Sequence, residues 1–129
     1  MRRFITTGSP WETLAGYSRA VVDGGWIFVS GTVGADLATG RLARGAKAQA
    51  EKSIDNIEAA LQDAGGTLTD VVRVRVYVPR RRDVVAVSEV IKRRIGPARA
   101  ANTTVCAPLA VAGAWVEIEV TARLPRSGA

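Results

Sequence analysis

The sequence predicts an α+β domain, a mixed β-sheet with two helices packed on one face. Three patterns carry that reading. Residues 71–78 alternate, with Val72, Val74, Val76 and Val78 facing one way and Arg73, Arg75 and Tyr77 the other. Residues 115–124 alternate again, setting Val116, Ile118 and Val120 against Glu117 and Glu119. Residues 46–64 repeat at helical spacing instead, with Ala50, Ile54, Ile57, Leu61 and Ala64 on one stripe. Strands with one apolar face need a second layer, and two apolar helices supply it.

The elements follow in order. Residues 19–30 read as a β-hairpin, because apolar residues flank Asp23-Gly24-Gly25 and glycine supplies the positive φ of a tight turn. A polar loop follows, turning at Ala38-Thr39-Gly40. The helix over 46–64 stops at Gly65-Gly66. After the strand at 71–78, Asp83 is a predicted N-cap for a second helix to Ile95, ended by Gly96-Pro97. Two strands close the chain, at 102–107 and 115–124. A charged sheet face with Trp26, Tyr77 and Trp115 nearby reads as an oligomer interface rather than free surface.

Composition removes whole chemistries. With 129 residues, 47% of them hydrophobic, the chain is expected to be one domain, 1–129, with a real core. It has no histidine, which excludes Ser-His-Asp and Cys-His catalysis and histidine-ligated zinc. A single cysteine excludes an intrachain disulfide and any CxxC metal motif, so no metal site is expected. Apolar runs are too short to span a bilayer, and the first seven residues lack the apolar core of a secretory signal. The expectation is a soluble cytoplasmic protein with no membrane partner.

The net charge of +6 raises the question of nucleic acid. Its basic residues concentrate in Arg80-Arg81-Arg82 and Lys92-Arg93-Arg94, with few aromatics for base stacking, so solvated faces are favoured over a polyanion site. Cys106 is the one candidate nucleophile. With no histidine to deprotonate it and Val105, Ala107 and Pro108 around it, a small buried hydrophobe is the favoured reading. The tryptophans read as core or interface anchors.

Six segments occur in a telling order: Gly16-Tyr17-Ser18-Arg19-Ala20-Val21, Phe28-Val29-Ser30-Gly31, Asn56-Ile57-Glu58-Ala59-Ala60-Leu61, Ala64-Gly65-Gly66, Asp70-Val71-Val72 and Val116-Glu117-Ile118-Glu119. Together they resemble the Rid (reactive intermediate deaminase) family, also called the endoribonuclease L-PSP or translation-inhibitor family. The resemblance spans nearly the whole chain. It implies a chorismate-mutase-like (bacillary) fold, a homotrimer with small-molecule sites between subunits, and hydrolysis of enamines and imines with no cofactor. It also assigns roles: Glu117 as the water-positioning carboxylate, and Tyr17, Ser30 and Gly31 as pocket residues.

The chemistry can be stated independently. Imine hydrolysis adds water to the C=N carbon and expels ammonia, so a carboxyl group must shuttle protons. A substrate carboxylate is best held by a guanidinium fork. The resemblance places the family's carboxylate-binding arginine at Asn102, where an amide brings no charge. Loss of such a pair costs roughly 2–5 kcal/mol in a buried site. Three readings stay open. The ligand lacks a carboxylate, and Asn102, Thr103 and Thr104 hold a neutral group. Alternatively, a guanidinium arrives from elsewhere, Arg75 first, then Arg99 and Arg94. In the third, the trimer binds a ligand without catalysis. RNA binding or ribonuclease activity is the weakest reading. Beside these stand ordinary structural roles: a cross-strand charge ladder of Glu117 and Glu119 with Arg73 and Arg75, packing for Tyr17, a turn at Ser30-Gly31, and strand-edge polarity for Asn102 to Thr104.

Overall fold

The computed structural model describes residues 2–125, so the extreme ends of the expected 1–129 domain lie outside the described residues. Six strands form one sheet: β1 (Arg3–Ile5), β2 (Ala20–Asp23), β3 (Trp26–Val33), β4 (Val71–Tyr77), β5 (Ala101–Val105) and β6 (Glu117–Arg123). Their spatial order is β1-β2-β3-β6-β4-β5, antiparallel except for the parallel β4–β5 pair. The helices are α1 (Pro10–Ala15), α2 (Gly45–Asp63) and α3 (Val84–Ile95). The predicted α+β class, with α2 and α3 over one face of a mixed sheet, is the observed one. Strand β1 and helix α1 were not anticipated; at 3 and 6 residues they are too short to leave a periodic signature.

The core lies between the sheet and the two long helices. The α2 stripe of Ala50, Ile54, Ile57, Leu61 and Ala64 is buried, as are Val116, Ile118, Val120 and Ala122 along β6. Helix α3 contributes Val87, Val90, Ile91 and Ile95 to the same cluster. The hairpin turns through Gly24 and Gly25, at φ 59° and 86°, a pair of left-handed residues that matches strand twist. Helix α2 ends as predicted, with Gly65 at φ 89° and the Gly66 N–H returning to the Leu61 carbonyl at 2.7 Å.

Two expectations need correction. Alternation through β4 does not hold at its start. Val71 pairs with Ala122 and Arg73 with Thr121, so Val72 is an extra residue in a β-bulge. Val71 takes the core position and Val72 turns outward. Asp83 does precede α3, but its side chain makes no cap bond, because the 3₁₀ turn Arg81–Asp83 already carries the chain in helical geometry. Its carboxylate accepts instead from Arg80 Nε at 2.7 Å.

Three of the six residues in the basic runs, Arg80, Arg93 and Arg94, are paired with acids. Arg94 reaches Glu51 and Asp55, each at 2.9 Å, Arg93 also pairs with Glu51, and Arg80 stacks on Trp115 at 3.6 Å. Among the described residues, no helix is long and apolar enough to cross a membrane.

Candidate active-site cavity

Strand β3 is pinned from behind by a polar row on α2. Gln49, Ser53 and Asn56 follow helical spacing and are buried, one position before the members of the apolar stripe. Ser53 Oγ donates to the Thr32 carbonyl at 2.7 Å, and Asn56 Nδ2 to the Ala35 carbonyl at 2.8 Å. Gln49 Nε2 donates to the carbonyls of Ala43 and Gly113, while its oxygen accepts the Trp115 N–H at 2.7 Å. That last bond diverts Trp115 from the sheet, which explains why β6 begins at Glu117 rather than near residue 115. The helix thereby sets the end of β3 and the two loops beyond it.

At that end β3 bulges. Val29 pairs with Val120 and Thr32 with Ile118, so Ser30 and Gly31 together oppose Glu119. Such bulges re-aim side chains and occur beside active sites. Here the bulge brings Gly31 against Glu117. A Cβ on Gly31 would collide with the Glu117 carboxylate, so the carboxylate keeps this position only against a glycine. Ser30 Oγ donates to the Ser18 carbonyl at 2.7 Å, and Thr32 Oγ1 to the Ser30 carbonyl at 2.7 Å.

A cavity of about 570 Å³ opens between α1, this bulge and the loop at 35–40. Trp11, Tyr17, Arg19, Ser30, Gly31 and Glu117 line it. A smaller recess of about 310 Å³ lies on the other side of Glu117, against Tyr77, Pro108, Leu109 and Glu119. Glu117 and Gly31 face both. Burial pushes the Glu117 carboxyl up from the ordinary 4.5, the neighbouring Glu119 adds to the rise, and Arg19 opposes it. Tyr77 donates its hydroxyl to Glu119 Oε1 at 2.6 Å, and that bond raises the phenol's pKa.

The structure brings together four of the sequence-predicted residues: Glu117, Tyr17, Ser30 and Gly31. It separates the rest. Asn102 pairs with Val74, which pairs in turn with Val120, three residues along β6 from Glu117. Register partners share a face, so Asn102 and Thr104 lie on the helix side of the sheet, opposite Glu117. There Thr104 Oγ1 donates to Asn102 Oδ1 at 2.9 Å. Thr103 is on the open face, level with Arg75 and Glu119. Level with Glu117 itself are Tyr77 and Val105, and Cys106 comes next. Cys106 is exposed in the chain, not buried, because β5 is an edge strand and the chain leaves the sheet there.

None of the three arginines considered reaches the cavity. Arg75 stays on the open face, half exposed and 4.0 Å from Glu119, its register partner. Arg94 is bound to α2 carboxylates, and Arg99 occupies a left-handed turn at φ 54°. The guanidinium that does line it is Arg19, which periodicity could not single out because it sits just before β2. Arg19 is only 4% exposed. Its Nη1 donates to Thr32 Oγ1 at 2.8 Å and the Gly31 carbonyl at 3.3 Å, and its Nη2 to the Tyr17 hydroxyl at 3.3 Å. Behind it lies Glu12 of α1, equally buried, with Oε2 3.7 Å from Arg19 Nε. Glu12 accepts the Thr7 N–H at 3.1 Å and the Thr7 hydroxyl. The Glu12–Arg19 pair ties α1 to the bulge.

A six-stranded α+β chain with a carboxyl-lined cavity at a sheet bulge is the class these features define. The family model described as endoribonuclease L-PSP matches residues 7–124. The chain belongs to that family, as the Rid resemblance implied. A RutC family protein of Pyrococcus abyssi is 34% identical over 105 residues, 81% of this chain and 83% of its own. A 2-iminobutanoate/2-iminopropanoate deaminase of Capra hircus is 35% identical over 126 residues, 95% and 90% of the two chains. Among solved structures, a YjgF/YER057c/UK114 family member from Mycobacterium tuberculosis superposes with a TM-score of 0.87 at 35% identity, covering 96% of this chain and 100% of its own. RidA from the Antarctic bacterium Psychrobacter sp. PAMC 21119 gives 0.80 at 31%, covering 94% of each.

Proposed function

We propose that this protein hydrolyses a small imine or enamine in the cavity beside Glu117, without a cofactor of its own. The observation that carries the reading is the Glu117 carboxyl, held against Gly31 with its pKa pushed up by burial. A carboxyl group poised above the ordinary range can give a proton to an imine nitrogen and then, as carboxylate, take one from water. Water's oxygen bonds to the C=N carbon, the C–N bond of the resulting carbinolamine breaks, and nitrogen leaves as ammonia. The product is the carbonyl compound. Relatives named 2-iminobutanoate/2-iminopropanoate deaminases support this reaction class.

The working form is proposed to be a trimer. Phe4, Trp26 and Phe28 are 42–61% exposed, together on the sheet face away from the helices, and grouped aromatics of this kind mark a surface that a partner covers. Sedimentation equilibrium at three times the monomer mass of 13.6 kDa is the expected result.

The test is ammonia release from imines generated in situ, with and without Glu117→Gln. Acceleration over the buffer rate that vanishes in the variant supports the reading. Equal rates with and without protein, across charged and neutral imines, leave a binding protein with no catalysis.

A further inference from the structure

We propose that Tyr17 and Arg19 form a two-donor cradle in the 570 Å³ cavity that holds an uncharged carbonyl oxygen of the ligand, with Glu12 cancelling the charge that would otherwise select a carboxylate. This deepens the hydrolase reading by naming the ligand class, and it rests on the same cavity.

The donors and acceptors can be counted. Both hydrogens of Arg19 Nη1 have acceptors, Thr32 Oγ1 and the Gly31 carbonyl. One Nη2 hydrogen goes to the Tyr17 oxygen, which leaves the other without a protein acceptor among the described residues. Nε has no hydrogen-bond partner and faces Glu12 beyond bonding distance. Because the Tyr17 oxygen accepts from Arg19, its own hydrogen is free to point into the cavity. Two donors therefore stand 3.3 Å apart at one wall.

The adjoining wall has the opposite polarity. Ser30 Oγ has given its hydrogen to the Ser18 carbonyl, so it can only accept, and the Glu117 carboxylate accepts as well. A ligand with a carbonyl oxygen at one end and an N–H imine or enamine nitrogen at the other matches both walls.

Charge separates a neutral carbonyl from a carboxylate. A lone buried guanidinium would favour the anion. Arg19 is not alone, since Glu12 lies 3.7 Å from it and both side chains are only 5% exposed. The remaining charged residues of the lining, Asp36 and Glu117, are acidic. A carboxylate entering the cavity meets no uncompensated cation and two acids.

Calorimetric binding of 2-oxobutanamide and 2-oxobutanoate, which differ in charge at the same position, tests this. The amide should bind at least about fivefold tighter to the unaltered protein, and Tyr17→Phe should weaken it by about fivefold, the usual worth of one hydrogen bond. Glu12→Gln should shift the preference toward the oxo acid, because it leaves Arg19 uncompensated. If that variant does not fold, Tyr17→Phe still decides. Tighter binding of the oxo acid by the unaltered protein, an unchanged amide affinity in Tyr17→Phe, or binding of neither compound overturns the proposal. Glu117→Gln separates this idea from the hydrolase reading: it should abolish turnover and narrow the amide preference, because one acid of the lining is gone, while Tyr17→Phe in its background still weakens the amide by about fivefold. Turnover that survives in it refutes the role of Glu117 and leaves the cradle standing.

Discussion

At the bulged end of β3, nearly every polar group is committed. Ser53, Asn56 and Gln49 hold backbone carbonyls from behind, while Arg19 holds Thr32, Gly31 and Tyr17 from the side. At the β5 edge of the sheet, the strand has five exposed residues and, among the described residues, one side-chain bond, from Thr104 to Asn102. Both ends carry amides and hydroxyls of the same kinds. The difference is that one set is fixed by a buried helix face and the other stands at an unpaired edge. Preorganised polar groups suit chemistry, since they need not reorganise when charge develops. An unpaired edge suits pairing with another chain.

The sharpest way to break this contrast is at Gly31. Alanine there puts a methyl carbon onto Glu117 Oε2, so the carboxylate must leave its place or the bulge must open. Turnover of whichever imine proves to be a substrate should fall by on the order of a hundredfold or more, equivalent to about 3 kcal/mol of barrier. The melting temperature should move much less, because Glu117 can turn toward solvent. A loss of stability as large as the loss of rate would show that Gly31 serves the fold rather than the site.

Gln49→Ala addresses the pegging itself. It removes three hydrogen bonds and leaves two carbonyls and the Trp115 N–H without these partners in a part-buried setting. A destabilisation of about 2–3 kcal/mol is expected in urea unfolding. A cost below about 1 kcal/mol would mean that the loops at 43 and 113 are held by other contacts.

Much of this scaffold is legible in the sequence, but not the wiring. The α2 stripe and the β6 alternation follow from period alone, because burial is a one-sided property and leaves a periodic trace. Val72 defeated that logic, since a bulge shifts the phase by one residue with no compositional mark. Gln49 and Ser53 are polar residues on a buried face, and periodicity reads them as boundary positions. Arg19 and Glu12 are seven residues apart, and only a fold that lays α1 against β2 makes them neighbours. For Glu117, Tyr17, Ser30 and Gly31 the family resemblance supplied what pattern could not. For Asn102 it named a position that the strand register sets apart from Glu117.

Acidity at Glu117 gives a smaller, signed effect. Its pKa is raised on folding, so the folded state binds that proton more tightly than the unfolded chain does. The associated stability is complete below the unfolded value, near 4.5, and is lost as pH climbs through the folded value. Glu117→Gln cannot ionise and keeps it. The variant should therefore melt with the unaltered protein at pH 4 and on the order of 2 °C above it at pH 7, for a half-buried group whose burden is partly screened. A gap that shrinks with rising pH would mean that Arg19, not burial, governs the carboxyl.

The smallest effect is expected at Asn102. Its side chain lies on the helix side of an edge strand, level with Val120, and bonds only to Thr104. Asn102→Ala should cost within about 0.5 kcal/mol, the range of exposed positions without a special role. Asn102→Arg is the more telling change. A guanidinium added there projects from the face of the sheet opposite Glu117, so it cannot meet a ligand in the same subunit's cavity. Turnover of carboxylate-bearing imines should then stay at the level of the unaltered protein. A gain of tenfold or more would require that the β5 edge of one subunit reaches the cavity of another. The exposed edge would then belong to a site shared between subunits, and the contrast between the two ends would hold only within a single chain.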